Sequence, residues 1–253
     1  MLSIALFPLT TCSGCENAIL DLWIDIEEIL KNIEITYAPI LMDSEEPKNV
    51  DVGLVIGSIR TSEDLNKLFR WRDKSKTLVA FGSCACFGGL PGLINKFDIS
   101  KVIIDIYKKS IEYESPHSLP KLIEYIKPAP SMVKIDLMVP GCPPPKNLIS
   151  KFLNAITYGH EFSLPTKNLC TECPLNTSSE KNIREIRRFS LNVMEQNKCF
   201  LEQGIICLGP VTRSGCEAKC IKSNTPCRGC LGPTLEVDES AMKLISSLAS
   251  SLS

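Results

Sequence analysis

The chain has 253 residues, 44% of them hydrophobic and 23% charged, with a formal net charge of −1. Those totals describe an ordinary globular protein, with room for one large domain or a medium one plus an appendage. They give no basis for a nucleic-acid or acidic-membrane partner, and no apolar run approaches a membrane span. The N-terminus lacks a basic segment and a small-residue cleavage site, so a cytoplasmic protein is expected.

Residues 1–165 read as an α/β domain. "SIALFPL" is a short apolar run suited to a buried strand. "AILDLWIDIEEILKNI" sets Ile19, Leu22, Trp23, Ile26, Ile29, Leu30 and Ile33 at helical spacing. "IEITYAPIL" and "VDVGLVIGSI" are β-rich. "SEDLNKLFRWRDKS" reads as a helix capped by Ser62, and "TLVAFGSC" as a strand. A helix follows at "KVIIDIYKKSIEYE", then a short one at "LPKLIEYIK". "VKIDLMVPGC" is a last strand, and "PKNLISKFLNAITYG" a helix opening near Pro145 and closing on Gly159. Strands alternating with helices predict a largely parallel sheet covered on both faces. Residues 166–253 read as a second, irregular domain. It has a helix at "SSEKNIREIRRFSLNVM" and a short amphipathic one at "DESAMKLISSLASSL". Between them periodicity vanishes, and units with so little apolar surface usually need a metal staple.

The cysteine content is the outlier: thirteen in all, eight of them in residues 166–253. With no export signal, such numbers point to metal ligation or catalysis rather than disulfides. His117 and His160 are the only histidines, which disfavours mixed zinc sites. Cys12 and Cys15 follow the first strand as C-x-x-C; Cys84 and Cys142 follow two later strands. The carboxyl ends of parallel strands face one crevice, so these four thiols can converge. Gly14, Gly82, Gly88, Gly89 and Gly141 flank them and let backbone donors approach. A thioredoxin-like pair at Cys12 and Cys15 would leave Cys84 and Cys142 unexplained. Cys86 completes no set and reads as a buried, inert thiol. In the tail, chain order groups Cys170, Cys173, Cys199 and Cys207, then Cys216, Cys220, Cys227 and Cys230. Zinc and iron–sulfur would serve these tail sets equally well.

"CSGCENAIL", "GSCACFGGLPG" and "PGCPPPKNLI" together resemble the cluster-binding motifs of the small, electron-transfer subunit of [NiFe]-hydrogenases. The tail "FLEQGIICLGPVTRSGCEAKCIKSNTPCRGCLGP" extends the match nearly to the end of the chain. This resemblance implies a flavodoxin-like first domain holding a proximal [4Fe–4S] cluster on Cys12, Cys15, Cys84 and Cys142. It implies a distal cluster on Cys170, Cys173, Cys199 and Cys207, and a medial one on Cys216, Cys220, Cys227 and Cys230. Many relatives have histidine at the place of Cys170, and some lack a ligand at that of Cys220; here both are cysteine, implying three [4Fe–4S] clusters. Dihydrogen would be cleaved in a separate large subunit, so no catalytic residue is expected in this chain. The absence of a twin-arginine leader and the all-cysteine tail resemble the soluble archaeal enzymes. Of these, the methyl-viologen-reducing type passes electrons to heterodisulfide reductase through an iron–sulfur subunit. The deazaflavin-coenzyme-reducing type, in which aspartate can replace a cysteine of the first pair, is the alternative. A zinc-stabilised interaction module and a respiratory-complex subunit, which would lack the cysteine-rich tail, rank lower.

Glu16 could relay a proton or face the large subunit, although a glutamate at a helix start is commonly there for the dipole. Arg213 is expected to be solvated, with a second reading near a cluster. Pro143, Pro144 and Pro145 would stiffen the loop after Cys142. Trp23 and Trp71 read as core or interface anchors, His117 and His160 as surface residues, and "EKNIREIRR" as a solvated helix face.

Overall fold

The computed structural model describes residues 1–22, 28, 31–108, 120–177, 183, 185–189, 195, 197–234 and 240–249. The chain divides into two compact units, Met1–Phe162 and Ser163–Ser253. Trp23, Ile26, Ile29, Leu30 and His117 lie outside the described residues, as does most of the segment 179–194.

In the first unit the strands are β1 (Leu2–Pro8), β2 (Ile33–Tyr37), β3 (Val50–Ile56), β4 (Ile59–Thr61), β5 (Ser75–Phe81), β6 (Leu122–Lys127) and β7 (Leu137–Val139). The main sheet has the order β2-β1-β3-β5-β7, and every pairing in it is parallel. The fold is α/β and flavodoxin-like, as expected, with the order reversing between β1 and β3. Strands buried on both faces become continuous apolar runs, and β3 is buried at all but one position. Helices α1 (Gly14–Leu20), α2 (Ser62–Lys74), α3 (Ser83–Phe87), α4 (Ile99–Tyr107) and α5 (Lys146–Tyr158) complete the unit. Phe7 on β1 stacks on Trp71 of α2, with ring centroids 4.6 Å apart and planes 9° from parallel. Gly53 permits this: a Cβ there would lie 2.7 Å from the Phe7 ring and 2.3 Å from Ser75 Oγ.

Four expectations are corrected. Ile33 opens β2, where it pairs with Leu2, instead of extending a helix. The cap of α2 is Thr61, not Ser62: Thr61 Oγ1 accepts from the Asp64 N–H, and Asp64 accepts from the Thr61 N–H. "LIEYIK" is strand β6, not a helix. It pairs antiparallel with β4, and the Asn95 side chain satisfies both the N–H and the C=O of Ile126. Among the described residues 185–189 there is no helix. Arg187 instead bridges to Ile205, donating its N–H to the Gly204 carbonyl at 2.8 Å.

The second unit is largely irregular. It contains 3₁₀ turns at Leu169–Glu172 and Gly209–Val211 and the helices α6 (Lys219–Lys222) and α7 (Ser240–Ala249). Leu169, Phe200, Leu201, Ile205 and Ile221 form its core together with Cys199, Cys207 and Cys227. Backbone bonds from Leu169 to Thr212 (2.7 Å) and from Ser214 to Lys167 (2.9 Å) hold the loops of the two tail cysteine sets side by side. Arg213 is buried, not solvated, because its guanidinium donates to the Pro233 carbonyl.

Candidate metal centres

Each cysteine of the first set sits in a loop whose shape the local sequence dictates. The loop from β1 to α1 is fixed at Thr10. Its hydroxyl donates to Asp64 Oδ2 at 2.8 Å, and its carbonyl accepts from the Ser58 N–H at 3.0 Å. Asp64, whose carboxylate accepts from the Thr61 N–H in the capping box of α2, thus also positions the approach to Cys12. The loops after β5 and β7 are tied by Gly82 N–H to the Val139 carbonyl and Ser83 N–H to the Gly141 carbonyl, both 2.8 Å. Cys84 is thereby held beside the loop of Cys142.

The thiols of Cys12, Cys15, Cys84 and Cys142 lie within electrostatic reach of one another. Burial first, then Glu16 and the other three thiols, pushes the Cys15 thiol far above its ordinary range. Burial, followed by Cys142 and Cys12, pushes up Cys84, while the Leu90 N–H acts in the opposite sense. Glycines make the space. Gly82 has φ +87°, and a Cβ there would lie 2.4 Å from Cys15 Sγ; at Gly89, with φ +56°, a Cβ would lie 2.7 Å from Cys84 Sγ. Cys12 and Cys142 are exposed, so this face of the unit is open. Cys86 stands apart, buried, with its Sγ donating to the Ala80 carbonyl at 3.2 Å.

Glu16 is buried among Leu6, Pro8, Ala38 and Pro39, and neither carboxyl oxygen has a hydrogen-bond partner. Burial raises its pKa. A solvated, dipole-favoured helix-start glutamate does not describe it. His160 is exposed, and Trp71 is core, its Nε1–H donating to Glu46 Oε1 at 3.0 Å.

In the second unit Cys170, Cys173, Cys199 and Cys207, drawn from separate stretches of chain, line one small recess. Phe200 and Ile221 supply part of its carbon lining. Burial raises the Cys207 thiol, while the Gly209 and Cys227 N–H groups oppose the rise. Of the other tail thiols, Cys216 senses Cys220, and Cys227 senses Cys207 of the first tail set and then Cys230. Burial pushes Cys227 up to about 12 against donors from Gly229 N–H and the Thr212 hydroxyl. The Cys227 N–H itself donates to Cys207 Sγ at 3.3 Å, linking the two sets. Among the described residues no three His, Cys, Asp or Glu side chains gather tightly enough for a single metal ion.

The donor chemistry fits iron–sulfur clusters. Their ligands are thiolates, a bound metal deprotonates such thiols outright, and backbone N–H donors to sulfur are a usual accompaniment. Burial foremost, and neighbouring thiols after it, hold these thiols protonated, and a cluster would supply the positive charge that ionises them. Two participants escape a reading of motifs. Asp64 orients the Cys12 loop, and the polar Thr10 before "TCSGC" is its only trace in the sequence. Glu172, between the cysteines of "CTEC", accepts from the Gly215 and Cys216 N–H groups. Its acidic character is visible in the motif; its partner, 44 residues on, is not.

The family model for the NADH ubiquinone oxidoreductase 20 Kd subunit matches residues 12–156, a span running from Cys12 past Cys142. A subunit of the vhu F420-non-reducing hydrogenase of Methanocaldococcus jannaschii is 39% identical over 238 residues, covering 91% of this chain and 82% of that protein. The chain belongs to the hydrogenase small-subunit family. The corresponding vhu protein of Methanococcus voltae, also named as part of an F420-non-reducing hydrogenase, is 36% identical over 252 residues, covering 97% of this chain and 87% of the relative. Among solved structures, a chain of an NAD+-reducing [NiFe]-hydrogenase in the H2-reduced state superposes with a TM-score of 0.58 at 27% identity. The superposition covers 65% of this chain and 95% of the other. As a hydrogenase small subunit, the protein is part of an oxidoreductase and pairs with a large subunit. No helix among its described residues is long and apolar enough to cross a membrane.

Proposed function

We propose that this small subunit is the electron-transfer chain of a cytoplasmic [NiFe]-hydrogenase, with dihydrogen oxidised in the large subunit. Its twelve grouped cysteines would hold three [4Fe–4S] clusters: proximal on Cys12, Cys15, Cys84 and Cys142, distal on Cys170, Cys173, Cys199 and Cys207, medial on Cys216, Cys220, Cys227 and Cys230. The acceptor would be an iron–sulfur subunit linked to heterodisulfide reductase. The relatives' name, F420-non-reducing, favours this over deazaflavin reduction. The recess shared by Cys170, Cys173, Cys199 and Cys207 carries the reading: four thiols from separate stretches of chain line one apolar space, as a thiolate-bound centre requires.

A bound [4Fe–4S] cluster supplies a one-electron carrier. The chain's part is to supply thiolates, exclude water and set hydrogen bonds to sulfur. Phe200 and Ile221 keep the distal recess apolar, while Gly209, Cys227 and Gly229 present N–H groups to Cys207 and Cys227. The open face at Cys12 and Cys142 suits a site closed by the large subunit. The test is anaerobic co-purification with metal analysis. A brown complex with nickel in its large subunit and about twelve irons per small subunit, four for each of three clusters, supports the reading. A colourless zinc protein overturns the clusters, and an iron-loaded chain with no nickel partner overturns the hydrogenase role.

A further inference from the structure

Glu172 lies between two cysteines of the distal set, yet its carboxylate serves the medial one. Oε1 and Oε2 accept from the Gly215 N–H at 3.0 and 3.1 Å, and Oε1 also accepts from the Cys216 N–H at 3.1 Å. The approach depends on Gly215, whose φ is +111°. The residue is half-buried, so its charge is only partly screened. Two backbone donors satisfy its hydrogen-bonding needs without neutralising it.

We infer that Glu172 is a positioning residue whose fixed negative charge lowers the reduction potential of the centre built on Cys216, Cys220, Cys227 and Cys230. This rests on the proposed [4Fe–4S] occupancy. Reduction there adds one electron, supplied by a neighbouring centre, and makes or breaks no bond. A carboxylate beside a ligand cysteine raises the energy of the more negative, reduced form and leaves the oxidised form comparatively favoured. Charge and hydrogen bonding separate cleanly by substitution. Glu172→Gln keeps an acceptor for the two N–H groups and removes the charge, whereas Glu172→Asp keeps the charge.

The experiment is a potentiometric titration of the anaerobically purified complex, followed by electron paramagnetic resonance, with iron counted in parallel. Glu172→Gln should retain its iron and move one of the three midpoints upward, by about tenfold in that reduction equilibrium, or about 59 mV for one electron. Glu172→Asp should leave all three close to wild type. Unchanged midpoints in Glu172→Gln, or equal shifts in both variants, overturn the inference. Loss of iron from Glu172→Gln also overturns it, because the residue then holds the loop instead of tuning the centre. Wild-type protein with no iron at this set overturns the proposed function itself, which keeps the two failures distinguishable.

Discussion

Replacing Gly82 with alanine should empty the proximal site without unfolding the chain. Gly82 adopts φ +87° and ψ 156°, a region essentially confined to glycine, so alanine costs about 1–3 kcal/mol in the backbone alone. The new Cβ would stand 2.4 Å from Cys15 Sγ, against an ordinary contact of about 3.5 Å. Cys15 Sγ must therefore retreat by about 1 Å, several times the tolerance of about 0.2 Å on a metal–ligand distance. The expected result is loss of about four irons of about twelve, with the tail centres spectroscopically intact. Gly92→Ala is the control: a Cβ there meets nothing within 4 Å. The assay is iron and acid-labile sulfide per chain, with thermal unfolding measured on the same samples. Full iron content in Gly82→Ala, with an unchanged proximal signal, would refute the reasoning.

Other substitutions probe neighbouring links. Cys86→Ser should retain all the iron, since that buried thiol belongs to none of the three sets and donates to the Ala80 carbonyl, whereas Cys220→Ser should lose or convert the medial centre; iron counts separate the two. Asp64→Ala leaves the Thr61 cap bond to the backbone N–H but removes the carboxylate that accepts from the Thr10 hydroxyl and from the Arg60 and Thr61 N–H groups, so a loss of about 1–3 kcal/mol is expected, with weaker iron retention at Cys12. Denaturant titration and iron counting read these two effects. Glu46 accepts from Arg70, Trp71 and Lys74, and hydrogen bonding from Arg70 foremost holds its carboxyl down to about 2. Glu46→Gln should cost about 1–3 kcal/mol at neutral pH. Because the folded pKa is depressed, that contribution is complete above the ordinary value near 4.5 and disappears as pH falls toward about 2. The gap in denaturant midpoint between wild type and Glu46→Gln should therefore be constant above about pH 4.5 and close below it.

The parallel sheet was legible because β1, β3 and β5 are buried on both faces and read as apolar runs. The segment "LIEYIK" was not, because six residues suit either period and its partner, β4, is remote in sequence. Residues 185–189 misled for the same reason: Arg187 follows Gly204 and Ile205, not its neighbours. The cysteines themselves stand out by count and by their places after strands. What they cannot announce is the shell around them. Arg213 in "GPVTRSGC" looks like a surface cation until the Pro233 carbonyl claims it. Glu16 looks dipole-favoured until its oxygens prove to be buried among apolar side chains.

Cys227 belongs to one set by its side chain and to another by its backbone, through the 3.3 Å bond from its N–H to Cys207 Sγ. With the proposed clusters in both sets, maturation of the tail would be a coupled event. Closing the chain around the recess of Cys207 delivers the segment bearing Cys227, and with it Cys230, to its working position. A half-assembled tail would leave a donor aimed at a misplaced sulfur, so intermediates carrying only one of the two tail centres should be scarce during loading.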